Sequence, residues 1–289
     1  MKQYTIGGIT FSVSGNGLNH IPGFSVFSSI HSEKQDALII NLGKKTLPNW
    51  NLTPSYCFQL RDISYELAFD KNKSFFYKML QADGNLLLME MYLQQNKLYV
   101  NTNMDEHTPS HLLSYALWLA FGVFSVSERT VSIHASTIIY KGKSFLFLGE
   151  SGTGKSTHTR LWLKHIPDTE LLNDDSPFVY TDENEAIAFG SPWSGKTPCF
   201  KNKQASIAGI IRLSQAPHNK IKKLSTLSAI GALLPSCPPE FAIDEFLSER
   251  IYNILSSLIQ QVPVYSLECL PDKNAAQLVF STLKNDGFI

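Results

Sequence analysis

KSFLFLGESGTGKSTHTR, residues 143 to 160, joins an apolar run from Phe145 to Leu148, the pattern G-x-x-x-x-G-K-[ST] over Gly149 to Ser156, and a helix-compatible segment from Thr157 to Lys164. Strand, glycine-rich loop and helix in that order let backbone N–H groups close on a polyphosphate. Gly149, Gly152 and Gly154 permit the turn without Cβ clashes, and the positive end of the following helix adds to the attraction for anions. On this reading Gly149, Ser151, Gly152, Thr153, Gly154, Lys155, Ser156 and Thr157 cradle a nucleotide such as ATP. Lys155 reaches its β- and γ-phosphates and Ser156 ligates Mg2+.

Working back from the loop, Val131 to Tyr140 reads as a strand and Lys141-Gly142-Lys143 as a hairpin turn. Strands joined so tightly must be antiparallel, unlike a doubly wound parallel sheet whose phosphate-loop strand arrives by a helical crossover. If Val131, Ile133 and Ala135 face the core, His134 faces the other side with Ser132 and Ser136. A histidine satisfied by a backbone carbonyl fits that pattern equally well.

Working forward, Pro167-Asp168 breaks the helix, and a short strand from Glu170 to Leu172 ends at Asn173-Asp174-Asp175. Side chains at the carboxyl ends of neighbouring strands converge on the ligand crevice of an open α/β sheet. Two carboxylates there can divide labour, one supporting Mg2+ and the other accepting the proton of an attacking hydroxyl. The rival is a plain Asn-Asp-Asp turn before Ser176-Pro177. The segment Ser191 to Thr197 offers Lys196 to the phosphates of a transition state, or is a solvated turn with Trp193 packed beneath it. Arg212, at the end of a strand expected over Ile207 to Leu213, is a second candidate cation. Phe178 to Tyr180 and Ala186 to Phe189 read as a hairpin and Gln215 to Asn219 as a turn. Leu224 to Leu234 and Phe241 to Gln261 read as helical, Val262 to Leu270 as a strand, and Ala275 to Leu283 as a helix capped from Asp272.

The first hundred residues read differently. Ile9, Phe11 and Val13 alternate with polar residues, Ala37 to Leu42 is a compact apolar run, and Tyr65 to Phe69, Ser74 to Met79, Leu86 to Leu93 and Lys97 to Val100 read as further strands. Turns are expected at residues 82–85 and at Gln95-Asn96. His20 and His31 lie in a Gly/Ser-rich stretch and carry no motif. Between Pro109 and Glu128 the spacing of Leu112, Leu113, Ala116, Leu119, Ala120 and Val123 predicts a helix. The organisation expected is a β-rich region over residues 1–108 and a nucleotide-binding α/β domain over 109–289.

Among the 289 residues, 43% are hydrophobic and 17% charged, and 25 Lys+Arg balance 25 Asp+Glu. No global basic field favours nucleic acid or a membrane surface, so neither is expected as a partner. Cys57, Cys199, Cys237 and Cys269 lie far apart with no C-x-x-C pair, which reads as reduced thiols in a cytoplasmic protein. The N-terminal MKQYTIGGITFSVSG lacks the continuous apolar core of a signal peptide, and the apolar stretch from Leu112 to Phe124 is shorter than a bilayer span.

SIHASTIIYKGKSFLFLGESGTGKST followed by LLNDDSPFV resembles the catalytic core of HPr kinase/phosphorylase and its relatives, whose nucleotide site is similar to that of ATP-dependent phosphoenolpyruvate carboxykinase. The features are His-Ala on the strand before the loop, a G-x-S-G-x-G-K-S loop, and an Asp pair one helix later. The resemblance covers residues 130 to 289 and implies a mixed-sheet α/β domain of HPr kinase/carboxykinase type. It also implies that His134 lines the active site, Lys155 and Ser156 bind phosphates and Mg2+, Asp174 acts as base and Asp175 contacts the metal. The chain departs from the bifunctional HPr enzymes in having Thr157 where they carry an acidic residue, and in lacking their Arg-Gly segment after the Asp pair. The activity expected is an ATP- and Mg2+-dependent kinase acting on the hydroxyl of a small molecule, peptide or protein. A carboxykinase-like or phosphorylase enzyme and a nucleotide-binding assembly protein are the rivals, and relatives that assemble make a homo-oligomer the expectation.

Overall fold

The computed structural model describes residues 1–29, 36–44, 52–69, 75–81, 87–94, 97–195, 197–242 and 245–289. His31, Lys196 and the turns expected at 82–85 and 95–96 lie outside them. The described residues form two mixed sheets and five α-helices, and contacts divide the chain into Met1–Phe124 and Ser125–Ile289.

In the first unit the alternating text folds into strands β1 (Lys2–Ile6), β2 (Ile9–Ser14), β3 (Ser28–Ser29), β4 (Leu38–Asn41), β5 (Tyr56–Leu60), β6 (Ile63–Phe69), β7 (Phe75–Gln81), β8 (Leu87–Gln94) and β9 (Lys97–Thr102). Their order is β3-β1-β2-β4-β9-β8-β7-β6-β5, with β4 parallel to both β2 and β9 and the other pairs antiparallel. β1 and β5 were not legible as strands. His20 is exposed and ends a short 3-10 turn, Leu18–His20.

Because side chains alternate across a strand, register sorts this sheet into two faces. Leu38, Ile40, Leu98, Val100, Met91, Tyr77 and Tyr65 are buried together on one face. Helix α1 (Ser110–Ser127) supplies Phe121 against Phe11, ring centroids 5.4 Å apart, and Tyr115, whose hydroxyl lies 2.5 Å from that of Tyr65. At 18 residues and mean hydropathy 1.3 this helix is longer than the 13-residue apolar stretch, and long and apolar enough to cross a bilayer. However, 61% of it is buried inside the protein, as in the core helix of a soluble fold. Its first fifteen residues group with the first unit and Ser125–Ser127 with the second.

The opposite face carries a row of cross-strand neighbours, Ser14, Asn41, Asn101, Glu90, Lys78 and Glu66. The Ser14 hydroxyl donates to Asn41 Oδ1 at 2.7 Å, and Asn41 Nδ2 donates to Asn101 Oδ1 at 2.9 Å. Glu90 is fully buried, and no donor among the described residues comes within hydrogen-bond distance of its carboxyl oxygens. Burial pushes this carboxyl up to about 7, against the opposing pull of Asn101, Lys78 and Lys44.

The second unit contains β10 (Thr130–Ser132), β11 (Ala135–Tyr140), β12 (Lys143–Leu148), α2 (Lys155–His165), β13 (Thr169–Asp175), β14 (Phe178–Thr181), β15 (Ala186–Phe189), β16 (Gln204–Gln215), β17 (Lys220–Lys223), α3 (Thr226–Leu233), α4 (Glu245–Gln261), β18 (Val264–Cys269) and α5 (Lys273–Asn285). The expected β11–β12 hairpin is present and antiparallel. Its two turn residues, Lys141 (φ 47°) and Gly142 (φ 79°), are both left-handed, as a tight two-residue hairpin demands. β12 runs parallel to β16, and β16 is shared on its far side between β15 along its first part and β18 along its second.

The single strand read over residues 131–140 is interrupted at Ile133 and His134. Their amides are taken by Pro177 O (3.1 Å) and Ser236 O (2.7 Å), so β10 pairs with β14 while β11 pairs with β12 and β13. β17, whose Lys-Ile-Lys-Lys text carries one apolar residue, is a strand only through pairing with β18. α5 begins as expected, with the Asp272 side chain accepting from Ala275 N at 2.9 Å. The core between sheet and helices centres on Trp162, fully buried against Phe145 (5.8 Å), Phe147 (5.9 Å) and Phe280 (6.0 Å). That packing seats α2 on the sheet and thereby places the loop that precedes it.

Candidate functional site

β12 ends at Leu148 and α2 starts at Lys155, so residues 149–154 must reverse the chain in six residues. They do so through left-handed backbone at Gly149 (φ 152°), Gly152 (φ 84°) and Gly154 (φ 103°). A Cβ at Gly149 would overlap the Thr153 hydroxyl and lie 3.2 Å from Leu213 O. Thr153 closes the loop on itself by donating to Glu150 O at 2.8 Å, and Gln215 Nε2 ties it to β16 by donating to Gly152 O at 3.2 Å.

Lys155 is 9% exposed and its ammonium donates to Gly149 O (2.8 Å) and Glu150 O (3.1 Å). Burial pulls its pKa below the usual lysine range, while the charges of Asp175 and Asp174 hold it up and Arg212 opposes them. Ser151 and Thr157 are exposed on the outer surface of the loop and first helical turn.

Sheet register brings the acidic pair to the same place. β11 is antiparallel to both β12 and β13, so its first residue, Ala135, pairs with Leu148 on one side and with Asp175 on the other. The carboxyl ends of β12 and β13 therefore lie together. Asp174, 4% exposed, accepts from the Ser156 hydroxyl at 2.8 Å. The Asp175 side chain is half exposed and its Oδ1 lies 3.4 Å from His134 Nε2. His134 reaches this position because its amide bonds Ser236 O and takes it out of the strand. Loop serine, acidic pair and histidine thus meet, with the serine joined to Asp174 rather than Asp175.

Asp175 has φ 143°, a backbone conformation that L-residues adopt only when their surroundings compel it. Those surroundings are the loop that follows β15. Gly195 N donates to Asp174 O at 2.5 Å, Ser194 forms an antiparallel bridge with Asp175, and a Cβ on Gly195 would lie 3.0 Å from Asp174 O. Asn173, fully buried, latches this loop to the strand. Its Nδ2 contacts Trp193 O (3.0 Å) and Ser191 Oγ (3.2 Å), and its Oδ1 accepts from Ser176 N (2.9 Å). The sequence held one hint of this role, since Asn is a residue that closes a turn through its side chain. Gln215 left no local signal, because Gly152 is distant in the chain, and Ser191 accepts from Trp193 N two residues on but meets Asn173 and Ser176 only through the fold.

Arg212, half-buried, sits opposite Leu148 on β16 and donates to Ala232 O at 3.0 Å. Among the described residues no group of three or more His, Cys, Asp or Glu forms a metal cage. The oxygen pair of Ser156 and Asp174 suits Mg2+, which is held by one or two protein oxygens together with phosphate and water. Beside the loop lies a cleft of about 540 Å3, bordered by Gly152, Thr153, Gly154 and Thr157 and walled by apolar side chains such as Leu161 and Leu213 together with the polar His158 and Gln215.

A scan against protein-family models and a search of curated proteins gave no match. Among solved structures, the HPr(Ser) kinase/phosphatase from Coxiella burnetii is similar over 54% of this chain and 89% of that chain, at 14% sequence identity and a TM-score of 0.33.

Proposed function

We propose that the second unit binds a nucleoside triphosphate with Mg2+ and transfers its γ-phosphoryl group to a hydroxyl of a small molecule, peptide or protein. The observation that carries this reading is the 2.8 Å hydrogen bond between Ser156, at the end of the glycine-rich loop, and Asp174, at the end of the neighbouring strand. It joins a polyphosphate cradle to a carboxylate placed for a metal, which phosphoryl transfer requires. Mg2+ bound there would neutralise charge on the phosphates.

Geometry supports a division of labour opposite to the one implied by the family resemblance. Asp174 is buried and already engaged with Ser156, so it holds the metal side of the site. Asp175 is half exposed and oriented by His134, so it is the carboxylate that an incoming hydroxyl can reach. As the acceptor oxygen bonds to the γ-phosphorus and the bond to the β-phosphate oxygen breaks, the hydroxyl proton passes to Asp175 and Lys155 offsets the charge on the departing diphosphate.

Incubation with Mg2+ and γ-labelled ATP in cell extract should transfer label to an acceptor rather than only to free phosphate. Asp175→Asn should lower transfer by about 10²- to 10⁴-fold, the usual worth of a general base, with nucleotide affinity retained. Asp174→Asn should instead weaken Mg2+-dependent nucleotide binding. Transfer by Asp175→Asn at the parent rate refutes its role as base, and undiminished nucleotide binding by Lys155→Ala refutes the reading as a whole.

A further inference from the structure

Arg212 lies near enough to Lys155 for its charge to oppose that of the ammonium, a position that would suit a phosphate ligand. Its guanidinium is nevertheless turned to the protein, where Nη1 donates to Ala232 O at 3.0 Å. Ala232 lies in the last turn of α3, whose carbonyls have no partner within the helix and whose negative end favours a cation. At eight residues α3 is too short to stand without such tertiary bonds.

Four residues on, Ser236 O accepts from His134 N at 2.7 Å. Arg212 pairs with Leu148 at the end of β12, and Leu148 pairs with Ala135, the residue after His134. Residues 232–236 therefore cross the end of β12 as a strap, tied to β16 by Arg212 and to the start of β11 by His134. Leu148, Ala135 and Leu233 are all fully buried, so the strap is packed in place. Its bond to His134 N is one of the two that interrupt the strand, and there His134 Nε2 lies 3.4 Å from Asp175 Oδ1. One chain of contacts thus runs from Arg212 through the strap and His134 to Asp175.

Resting on the phosphoryl-transfer reading above, we infer that Arg212 is a positioning residue for the reaction. It fixes the strap that holds His134 against Asp175, the proposed base, and touches neither nucleotide nor acceptor. Arginine suits this task because its guanidinium stays charged and a charge-assisted bond to a carbonyl is stronger than a neutral one.

The test uses the full chain and four folded variants: Arg212→Gln, Arg212→Lys, His134→Ala, and the double variant Arg212→Gln with His134→Ala. Each is titrated with ATP in Mg2+ and assayed for label transfer from γ-labelled ATP in cell extract. Arg212→Gln should lower transfer about tenfold, the scale of coupling within one hydrogen-bonded network, and keep the nucleotide dissociation constant within about twofold. Arg212→Lys should stay within about threefold of the parent, because one bond to one carbonyl does not need the guanidinium fork. It also guards against misfolding of the glutamine variant. If Arg212 acts through His134, its loss adds nothing to the loss of His134, and the double variant transfers within about twofold of His134→Ala. Losses that multiply in the double variant overturn the inference. A nucleotide dissociation constant raised at least tenfold by Arg212→Gln overturns it too, by making Arg212 a phosphate ligand. A parent that binds ATP in Mg2+ but labels no acceptor refutes the transfer reading itself, and the inference falls with it.

Discussion

Replacing Asn173 by Ala removes a side chain that touches no reacting group in the proposed site, yet it should slow phosphoryl transfer. The carboxamide makes two good donor contacts, to Trp193 O and Ser191 Oγ, and accepts from Ser176 N, all in a fully buried position. The Ser191 hydroxyl has one proton for Ser176 O at 2.7 Å and Trp193 O at 3.0 Å, so loss of the carboxamide leaves Ser176 N unpaired and Trp193 O competing for that proton. At about 1 kcal/mol for each lost bond, and somewhat more for a stranded donor, the variant should be less stable by about 2 to 3 kcal/mol. That is comparable to the 1 to 3 kcal/mol that a strained backbone such as Asp175 typically costs to hold. Loss of the latch therefore lets Asp175 relax, and turnover should fall by roughly 10- to 100-fold, one to two multiples of about 1.4 kcal/mol on the barrier. Nucleotide affinity should stay within about twofold, because Asn173 contacts neither Lys155 nor Ser156. Chemical denaturation, nucleotide titration and label transfer measure the three quantities. Parent-like turnover and stability would refute the latch, and a loss of nucleotide affinity as large as the loss of turnover would show that Asn173 merely keeps the loop region folded.

Gly149→Ala should weaken nucleotide binding at least tenfold by titration, since its Cβ would overlap the Thr153 hydroxyl at a φ of 152° that alanine resists. Trp162→Ala should destabilise the second unit by about 3 to 5 kcal/mol in denaturant. Trp162→Phe should cost less than half of that, because it also removes an indole N–H that has no partner among the described residues. Glu90 links the first unit to pH. Its folded carboxyl titrates near 7 against an ordinary value of 4.5, so between those values the folded state keeps a proton that the unfolded chain has released. Stability from this group is full below pH 4.5 and is lost as pH rises to 7, so Glu90→Gln should raise the melting temperature at pH 8 more than at pH 4. Equal shifts at both pH values would refute the linkage.

Much of the fold was legible because its signals are local. Alternation in Ile9–Val13, the Lys141-Gly142 turn, the glycine spacing of 149–154 and the Asp272 cap each depend on residues within a few positions of one another. Where pairing with distant strands decides the conformation, the text misled: Lys2–Ile6, Tyr56–Leu60 and Lys220–Lys223 carry weak strand signals, and the strand over 131–140 breaks where Pro177 and Ser236 take its amides.

By itself, then, the sequence determined the phosphate-loop pattern, the antiparallel approach to it and the presence of an acidic pair one helix later, since backbone sterics and short-range periodicity specify all three. Only the tertiary structure decided that Ser156 joins Asp174 and that His134 joins Asp175. Only it decided, too, that Asn173 holds Asp175 in its strained backbone. Those contacts arise from sheet register and from a loop returning across the strand ends, which bring together residues many positions apart.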